Sequence, residues 1–119
     1  KTIWEGSRET GNYANNRELG TEDDWINAGL AIGNVVKVYF TAANPAEWSM
    51  QIFDGHWSMM SFPEIGAQFN QDNSTGAADG YISFTVDEGK LAAMTAIQNW
   101  GYALIVQGKN LTVTQITML

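Results

Sequence analysis

The chain has 119 residues, of which 45% are hydrophobic, and thirteen acidic against six basic side chains give a formal net charge of −7. This length suits one domain with a substantial core, and no apolar run approaches the roughly 18 residues that a membrane-spanning helix needs. A phosphate backbone or an anionic bilayer would repel this charge, so nucleic acid and membrane surfaces are poor partners. Neutral ligands incur no such penalty.

Cysteine is absent, and His56 is the single histidine. These counts exclude disulfides, thiolate metal sites, cysteine nucleophiles and multi-histidine metal sites. The N-terminus lacks the basic and apolar segments of a secretory signal and opens directly on strand-like sequence. We therefore expect residues 1–119 to form a single mature domain of a longer protein.

The first third of the chain predicts two strands separated by a long loop. Residues 2–6 are interpreted as a short strand with Ile3 and Trp4 on opposite faces, and residues 7–16 have the Gly, Asn and Ser content of a loop. Residues 22–24 (Glu, Asp, Asp) are the densest run of charge and are interpreted as a solvated turn. Residues 35–41 are rich in β-branched and aromatic side chains and predict a strong strand.

The middle of the chain predicts a hairpin that is unusually rich in tryptophan. Residues 48–53 form its first strand, Asp54-Gly55 is a strong turn signal, and residues 57–62 return as the second strand. Because successive side chains of a strand alternate between faces, one face carries Trp48, Met50 and Ile52 and the other carries Ser49, Gln51 and Phe53. We expect Gln51 to point outward and Trp48 to reach a binding site only through the loop before the strand.

The following segment contains a long connection and a clear strand. Residues 63–78 are rich in Gly, Asn and Gln and long for a connection, so they form either an edge element or a functional loop. Residues 81–86 alternate cleanly, which predicts a strand with Ile82, Phe84 and Val86 facing the core.

One helix is predicted late in the chain. Asp87 is a suitable N-cap for residues 88–98, because its carboxylate can accept a hydrogen bond from a free backbone N–H of the first turn. Leu91, Met94 and Ile97 recur at helical spacing and predict the buried side of this helix.

The chain closes on a predicted hairpin. Gly101 ends the helix, and residues 102–106 and 111–118 pair across a turn at residues 107–110. About seven short strands with turn signals between them favour an all-β fold over an alternation of strands and helices. We predict a jelly-roll-like β-sandwich with one short helix before the last hairpin.

The best candidates for catalytic residues are scattered acidic side chains, and no sequence pattern indicates that any two of them lie close together. They are Glu47, Asp54, Glu64, Asp72 and Asp79. A glycosidase needs two carboxylates at a defined separation, one of them with a raised pKa. His56 stands in a turn with no nucleophile motif around it and is interpreted as an exposed turn residue. The sequence therefore predicts no catalytic residue.

Metal binding has one weak candidate. Asp72, Asn73 and Ser74 offer oxygen ligands for calcium but fall far short of an EF-hand pattern. We therefore predict no metal site and no cofactor.

Aromatic and amide side chains carry the strongest functional signal. Trp57 and Trp100 lie at the ends of predicted elements, where side chains often point out of a sandwich. A sugar ring has an apolar face that can stack on an indole, and its hydroxyls need partners that both donate and accept hydrogen bonds. Side chains with amides of this kind are Gln51, Gln98, Asn99 and Gln107. The alternative is that tryptophans fill the core, which is our interpretation of Trp4 and Trp25.

Three segments resemble known carbohydrate-binding modules. They are residues 2–6 (Thr-Ile-Trp-Glu-Gly), residues 38–40 (Val-Tyr-Phe) ahead of a strand with Trp and Gln, and the late helix running into residues 104–114 (Leu-Ile-Val-Gln-Gly-Lys-Asn-Leu-Thr-Val-Thr). Over most of its length the chain resembles the bacterial modules appended to plant-cell-wall hydrolases. It is most similar to carbohydrate-binding module family 65 and its relatives.

The resemblance implies a non-catalytic β-jelly-roll that binds β-glucan chains, namely β-1,4-linked glucan, mixed-linked glucan or xyloglucan. Trp57 and Trp100 match stacking positions, Gln51 and Gln98 match hydrogen-bonding positions, and Tyr13 stands where relatives often show a tryptophan. The predicted carbohydrate-binding residues are Tyr13, Trp48, Gln51, Trp57, Gln98, Trp100 and Gln107.

The resemblance also implies a monomeric module within a larger secreted bacterial enzyme, where it holds an attached glycoside hydrolase against the plant cell wall. Two alternatives stay open. One is a small glycoside hydrolase or lyase of the same fold, and the other is a protein-interaction or adhesion domain.

Overall fold

A computed structural model describes residues 1–14 and 19–119. Within them, two antiparallel sheets pack face to face, which confirms the predicted all-β sandwich. The strands are β1 (Thr2–Glu9), β2 (Val35–Ala42), β3 (Ser49–Asp54), β4 (Phe69–Asn70), β5 (Tyr81–Thr85), β6 (Leu104–Lys109) and β7 (Leu111–Met118). The helices are α1 (Glu22–Asn27), α2 (Gly76–Asp79), α3 (Glu88–Met94) and the 3₁₀ helix Ile97–Asn99. No described helix is both long and apolar enough to cross a membrane.

One sheet has four strands in the order β1-β7-β2-β5, and the other has three in the order β4-β3-β6. Alternate side chains of both sheets meet in one hydrophobic core, as the period of two in β2, β3, β5 and β7 requires. Its members include Val36, Val38, Met50, Ile52, Ile82, Phe84, Val106, Val113 and Ile116. Two helices add Trp25 and Met94, both fully buried. The core interpretation of Trp25 is confirmed, and Trp4 packs against the core while partly exposed.

β3 has the predicted alternation but not the predicted partner. Met50 and Ile52 point into the core, whereas Gln51 is half-buried on the opposite face. β3 pairs with β4 on one side and β6 on the other, and residues 57–62 form no strand. The predicted return strand is therefore wrong. The chain does turn back after Asp54, but Trp57 adopts φ 68, outside the extended region, so only a single bridge joins Phe53 to Met59.

The predicted closing hairpin is also wrong, because β6 and β7 belong to different sheets. Only Asn110 separates them, and its φ of 63 redirects the chain from one sheet to the other. Asparagine tolerates this left-handed conformation better than most residues. Its side-chain Nδ2 also donates a hydrogen bond of 2.9 Å to the Glu47 carbonyl.

α3 begins where predicted and ends early. Asp87 Oδ1 accepts a hydrogen bond of 2.8 Å from the Lys90 backbone N–H, which confirms the N-cap. The helix stops at Met94, because Asn99 Nδ2 donates to the Ala93 carbonyl at 2.7 Å and replaces the next helical bond. Ile97 is consequently 98% exposed, so its predicted place on the buried side is wrong.

Two loop predictions need correction, and for a third the edge-element alternative is confirmed. β1 continues to Glu9, beyond the predicted residues 2–6, and part of the predicted first loop, residues 15 and 16, lies outside the described residues. Residues 22–24 are the first turn of α1, closed by a capping box between Thr21 and Asp24. The long connection 63–78 contains β4, at the edge of the three-stranded sheet, and most of α2.

Candidate functional site

The outward side chains of β3 and β6 form one surface, which we call the β3–β6 face. Three cross-strand pairs build it: Ser49 with Lys109, Gln51 with Gln107, and Phe53 with Ile105. Ser49, Phe53 and Ile105 are themselves buried, so the side chains of these pairs that reach solvent are Gln51, Gln107 and Lys109. At about 3.4 Å per residue, the three pairs extend over ~14 Å of strand. The face is polar at one end and aromatic at the other.

Two amides occupy the middle of the β3–β6 face. Gln51 Nε2 donates to Gln68 Oε1 at 3.0 Å, and Gln107 Nε2 donates to the Tyr13 carbonyl at 3.3 Å. Among the described residues, neither the Gln51 nor the Gln107 side-chain oxygen has a hydrogen-bond partner. Both amides are thus oriented by the protein while their carbonyl oxygens remain available as acceptors.

The polar end of the face is closed by Tyr13. Its backbone N–H donates to the Gly108 carbonyl at 2.7 Å, and its hydroxyl lies 2.6 Å from Ser49 Oγ. The ring is half-buried, and the residue has φ 61. A depression of ≈ 290 Å³ lies at this end and includes Gln68 in its lining. The predicted site residues Tyr13, Gln51 and Gln107 therefore meet on one surface.

An ion pair flanks the same depression. Lys109 Nζ lies 2.9 Å from Glu47 Oε1, and the hydrogen bond with this carboxylate raises the pKa of Lys109. Both side chains are solvent-exposed, so the pair adds little to stability. It presents a charged rim beside the amides.

Trp57 occupies the aromatic end of the face. Its side chain is 43% exposed, and its ring centroid lies 5.5 Å from that of Phe53. The preceding turn is built by Asp54, whose Oδ1 accepts from the backbone N–H groups of His56 (3.1 Å) and Ser58 (2.9 Å). This Asx-type turn explains why Asp54 is buried yet satisfied.

Trp100 lies in a neighbouring cleft and not among the β3–β6 pairs. Its side chain is 83% exposed, the residue has φ 59, and it follows the 3₁₀ helix that carries the exposed Gln98. The cleft has a volume of ≈ 470 Å³ and is lined by Thr21, Glu22, Asp23, Trp100, Gly101 and Tyr102.

Trp48 is almost fully buried beneath the depression at the polar end of the face. It is 2% exposed, and its ring packs 4.9 Å from that of Phe40. The backbone N–H donates to Gln71 Oε1 at 3.0 Å. Trp48 therefore exposes almost no indole surface to a ligand, and its inclusion among the binding residues stays a prediction.

His56 also differs from its prediction as an exposed turn residue. Its side chain is 31% exposed, and its Nδ1 lies 2.6 Å from Asn99 Oδ1 and 3.3 Å from Asp54 Oδ1. No local pattern links this turn with the segment around residue 99, because 43 residues separate the two partners.

A larger cleft of ≈ 660 Å³ lies between α3 and residues 58–66. Its aromatic ring, Phe62, is 5% exposed and is covered by Phe69 and Phe84 and by Lys90 Nζ at 5.2 Å. Because that ring has no free face, this cleft suits ring stacking less well than the β3–β6 face.

Other groups missed from the sequence are Gln68 and Lys109. Lys109 lies two residues after Gln107 on the same strand. The alternation of side chains along a strand therefore predicts that both lie on one face. Nothing local marked Gln68, because β4 is two residues long.

Metal ligation finds no support in the part of the chain that is described, where no three His, Cys, Asp or Glu side chains cluster. The residues of the weak calcium candidate lie in a hydrogen-bonded turn. Asn73 Oδ1 accepts from the Asn70 N–H at 2.9 Å, and Ser74 Oγ donates to the Asn70 carbonyl at 3.1 Å.

Comparison with solved structures gives a fold relative. A structure of Bacteroides ovatus SGBP-B from the mixed-linkage glucan utilization locus, in complex with a mixed-linkage heptasaccharide, is similar to this chain with a TM-score of 0.68 and 17% sequence identity. The similarity covers 100% of this chain and 30% of that one. The sequence matches no protein-family model and no curated protein. At this identity the likeness establishes the shared fold.

Proposed function

We propose that this chain is a non-catalytic carbohydrate-binding β-sandwich that holds a glucan chain on the β3–β6 face. The observation that carries the proposal is the order of side chains on that face, where the exposed indole of Trp57 packs against Phe53 and the paired amides Gln51 and Gln107 lie two residues along the strands from the Phe53–Ile105 pair. A neutral sugar ring needs this combination of an apolar platform and oriented hydrogen-bonding groups.

The expected affinity is moderate. Burying roughly 100 Å² of apolar area on one indole contributes about 2.5 kcal/mol before ordering costs. Two tryptophan platforms and a few hydrogen bonds, less those costs, correspond to dissociation constants on the order of micromolar to millimolar. Such an affinity suits a module that keeps a larger protein near a polysaccharide.

The ligand class we propose is β-glucan, with β-1,4-linked glucan, mixed-linked glucan and xyloglucan as the specific candidates. The fold relative is in complex with a mixed-linkage heptasaccharide. Residues 2–6, 38–40 and 104–114 resemble segments of family 65 modules. We further propose that the chain acts as a monomeric module of a secreted bacterial protein and targets an attached glycoside hydrolase to the plant cell wall.

A non-catalytic role agrees with the structural roles of the Asp54 and Asp87 carboxylates. Asp54 and Asp87 line the cleft beside α3. Asp54 closes the turn before Trp57, and Asp87 caps α3 and lies 2.9 Å from Lys90 Nζ. The Lys90 backbone N–H, followed by its side chain, lowers the pKa of Asp87, the opposite of what a general acid needs.

The test is native gel electrophoresis of the purified chain in gels cast with β-glucan, xyloglucan, cellulose derivatives and an α-glucan. We expect retardation by at least one β-glucan and not by the α-glucan. Incubation with the same β-glucans should release no reducing sugar. Absence of retardation in every gel would overturn carbohydrate binding, and release of reducing ends would favour the hydrolase alternative.

A further inference from the structure

Both exposed tryptophans share an uncommon backbone conformation. Trp57 has φ 68 and Trp100 has φ 59, in the left-handed region that bulky residues rarely adopt. Each directly follows one partner of a hydrogen bond, because His56 precedes Trp57 and Asn99 precedes Trp100. Consecutive Cα atoms are ~3.8 Å apart, so the backbone of each tryptophan lies one residue from this hydrogen bond.

The donor and acceptor of the His56–Asn99 hydrogen bond follow from the other partner of Asn99. Asn99 is fully buried, and its Nδ2 donates to the Ala93 carbonyl at 2.7 Å, which leaves Oδ1 as the acceptor toward His56. Nδ1 of His56 is therefore the donor at 2.6 Å. The Asp54 carboxylate, 3.3 Å from the same nitrogen, favours the tautomer that carries this hydrogen.

The two loops also touch through their backbones. Gly55 lies so close to the backbones of Asn99 and Tyr102 that a Cβ atom at this position would collide with both. The turn that carries Trp57 and the segment that carries Trp100 thus form one packed unit. The His56–Asn99 hydrogen bond is the polar link within it.

We infer that His56 and Asn99 are positioning residues that combine Trp57 and Trp100 into one extended binding site, contacted by a single glycan chain. The inference rests on the proposed function. The chain would run along the β3–β6 face, pass Trp57 and continue into the Trp100 cleft. There, Glu22 and Asp23 supply carboxylate oxygens that can accept hydrogen bonds from sugar hydroxyls. The site therefore selects long linear chains over short oligosaccharides.

The decisive measurement is affinity against chain length, with mixed-linkage or β-1,4-linked oligosaccharides from disaccharide to heptasaccharide and titration calorimetry or NMR as readout. For the unmodified chain, affinity should rise in two stages as the ligand first covers Trp57 and then reaches Trp100. Trp100→Ala should remove only the second stage. Equal losses for short and long ligands, or no loss, would overturn the inference.

The positioning role is tested by His56→Ala and its rescue by His56→Asn. An asparagine amide nitrogen takes the place of imidazole Nδ1 and keeps the donor toward Asn99. His56→Ala should weaken heptasaccharide binding about tenfold while changing disaccharide binding less than about twofold, and His56→Asn should restore most of the loss. Ser58→Ala, in the same turn with an exposed side chain, is the matched control and should bind normally.

A double variant measures whether His56 and Trp100 act together in binding. Trp100→Ala should cost little in the His56→Ala background, because Trp100 is already displaced from the chain. Full additivity, or unchanged heptasaccharide binding by His56→Ala, would refute positioning while leaving carbohydrate binding intact. Should His56→Ala fail to fold, the length dependence of Trp100→Ala still decides whether the site is extended. Failure of the unmodified chain to bind any glucan would instead refute the proposed function.

Discussion

Gln51 and Gln107 face each other across β3 and β6, and each donates a hydrogen bond outward from the pair, to Gln68 and to the Tyr13 carbonyl. The two amides are therefore held by opposite neighbours, and their side-chain oxygens have no partner among the described residues. This arrangement pre-orients both groups before any ligand arrives, which lowers the ordering cost of binding.

Gln51→Ala should weaken glucan binding about tenfold or more, because a lost bridge to sugar hydroxyls costs roughly 1–3 kcal/mol. The melting temperature should stay near that of the unmodified chain, since Gln51 lies outside the core. Calorimetric titration with a soluble β-glucan and thermal melting measure the two effects. A destabilised variant with normal affinity would show that the amide serves the fold.

Trp48→Ala should have the opposite effect. The side chain is fully packed beside Phe40, and removing a buried aromatic of this kind costs about 3–5 kcal/mol. Denaturant unfolding should show this loss, while the affinity per folded molecule stays unchanged below the transition. A stable Trp48→Ala protein that no longer binds would contradict its placement in the core.

Trp57→Ala should raise the dissociation constant by more than about tenfold. Stacking one sugar ring on an indole contributes about 2.5 kcal/mol to binding before the cost of ordering the ligand is subtracted. The fold should survive, because Asp54 Oδ1 holds the turn through the backbone N–H groups of His56 and Ser58. Trp57→Phe should retain part of the affinity. Changes in circular dichroism of the alanine variant that match its loss of binding would indicate a structural role instead.

Glucan binding should be insensitive to chelator and to salt. The ligand is neutral, and no metal-binding cluster exists in the described part of the chain. Affinities measured with and without EDTA, and between low salt and about 1 M NaCl, where the Debye length falls to about 3 Å, should agree. A fall in affinity with EDTA would reveal a required metal ion.

Acid should selectively weaken the start of α3. The Lys90 backbone N–H, followed by its side chain, lowers the pKa of Asp87. A pKa lowered in the folded state means that this carboxylate stabilises the protein above its ordinary pKa and that the contribution disappears as the pH falls through the lowered value. Asp87→Asn keeps a capping side chain but loses the charge.

The Asp87→Asn variant should therefore melt below the unmodified chain at neutral pH and converge with it in strong acid. Melting curves across the acidic range measure this. A difference that persists unchanged at the lowest pH would mean that the ion pair with Lys90 is not its source.

Several structural features could be predicted from residues that are neighbours in the sequence. The alternation of residues 48–53 predicted which side chains of β3 enter the core, and Asp87 predicted the start of α3. The all-β sandwich followed from short alternating segments between turn signals. These features depend on neighbours within a few residues, so the amino-acid sequence by itself determined them.

The partners of the strands were decided only by the tertiary structure. The alternation of side chains along a strand predicts which of them share a face, but not which strand is the hydrogen-bonded neighbour. The pairing of β3 with β4 and β6 could therefore not be predicted from the sequence, nor could the passage from β6 to the other sheet at Asn110. The same limit applies to the candidate site. Three contacts between segments distant in the chain determine the site. The Trp48 ring packs on Phe40, Gln68 accepts a hydrogen bond from Gln51, and Asn99 is hydrogen-bonded to His56. Side-chain exposure and hydrogen bonding are properties of packing, and packing is non-local.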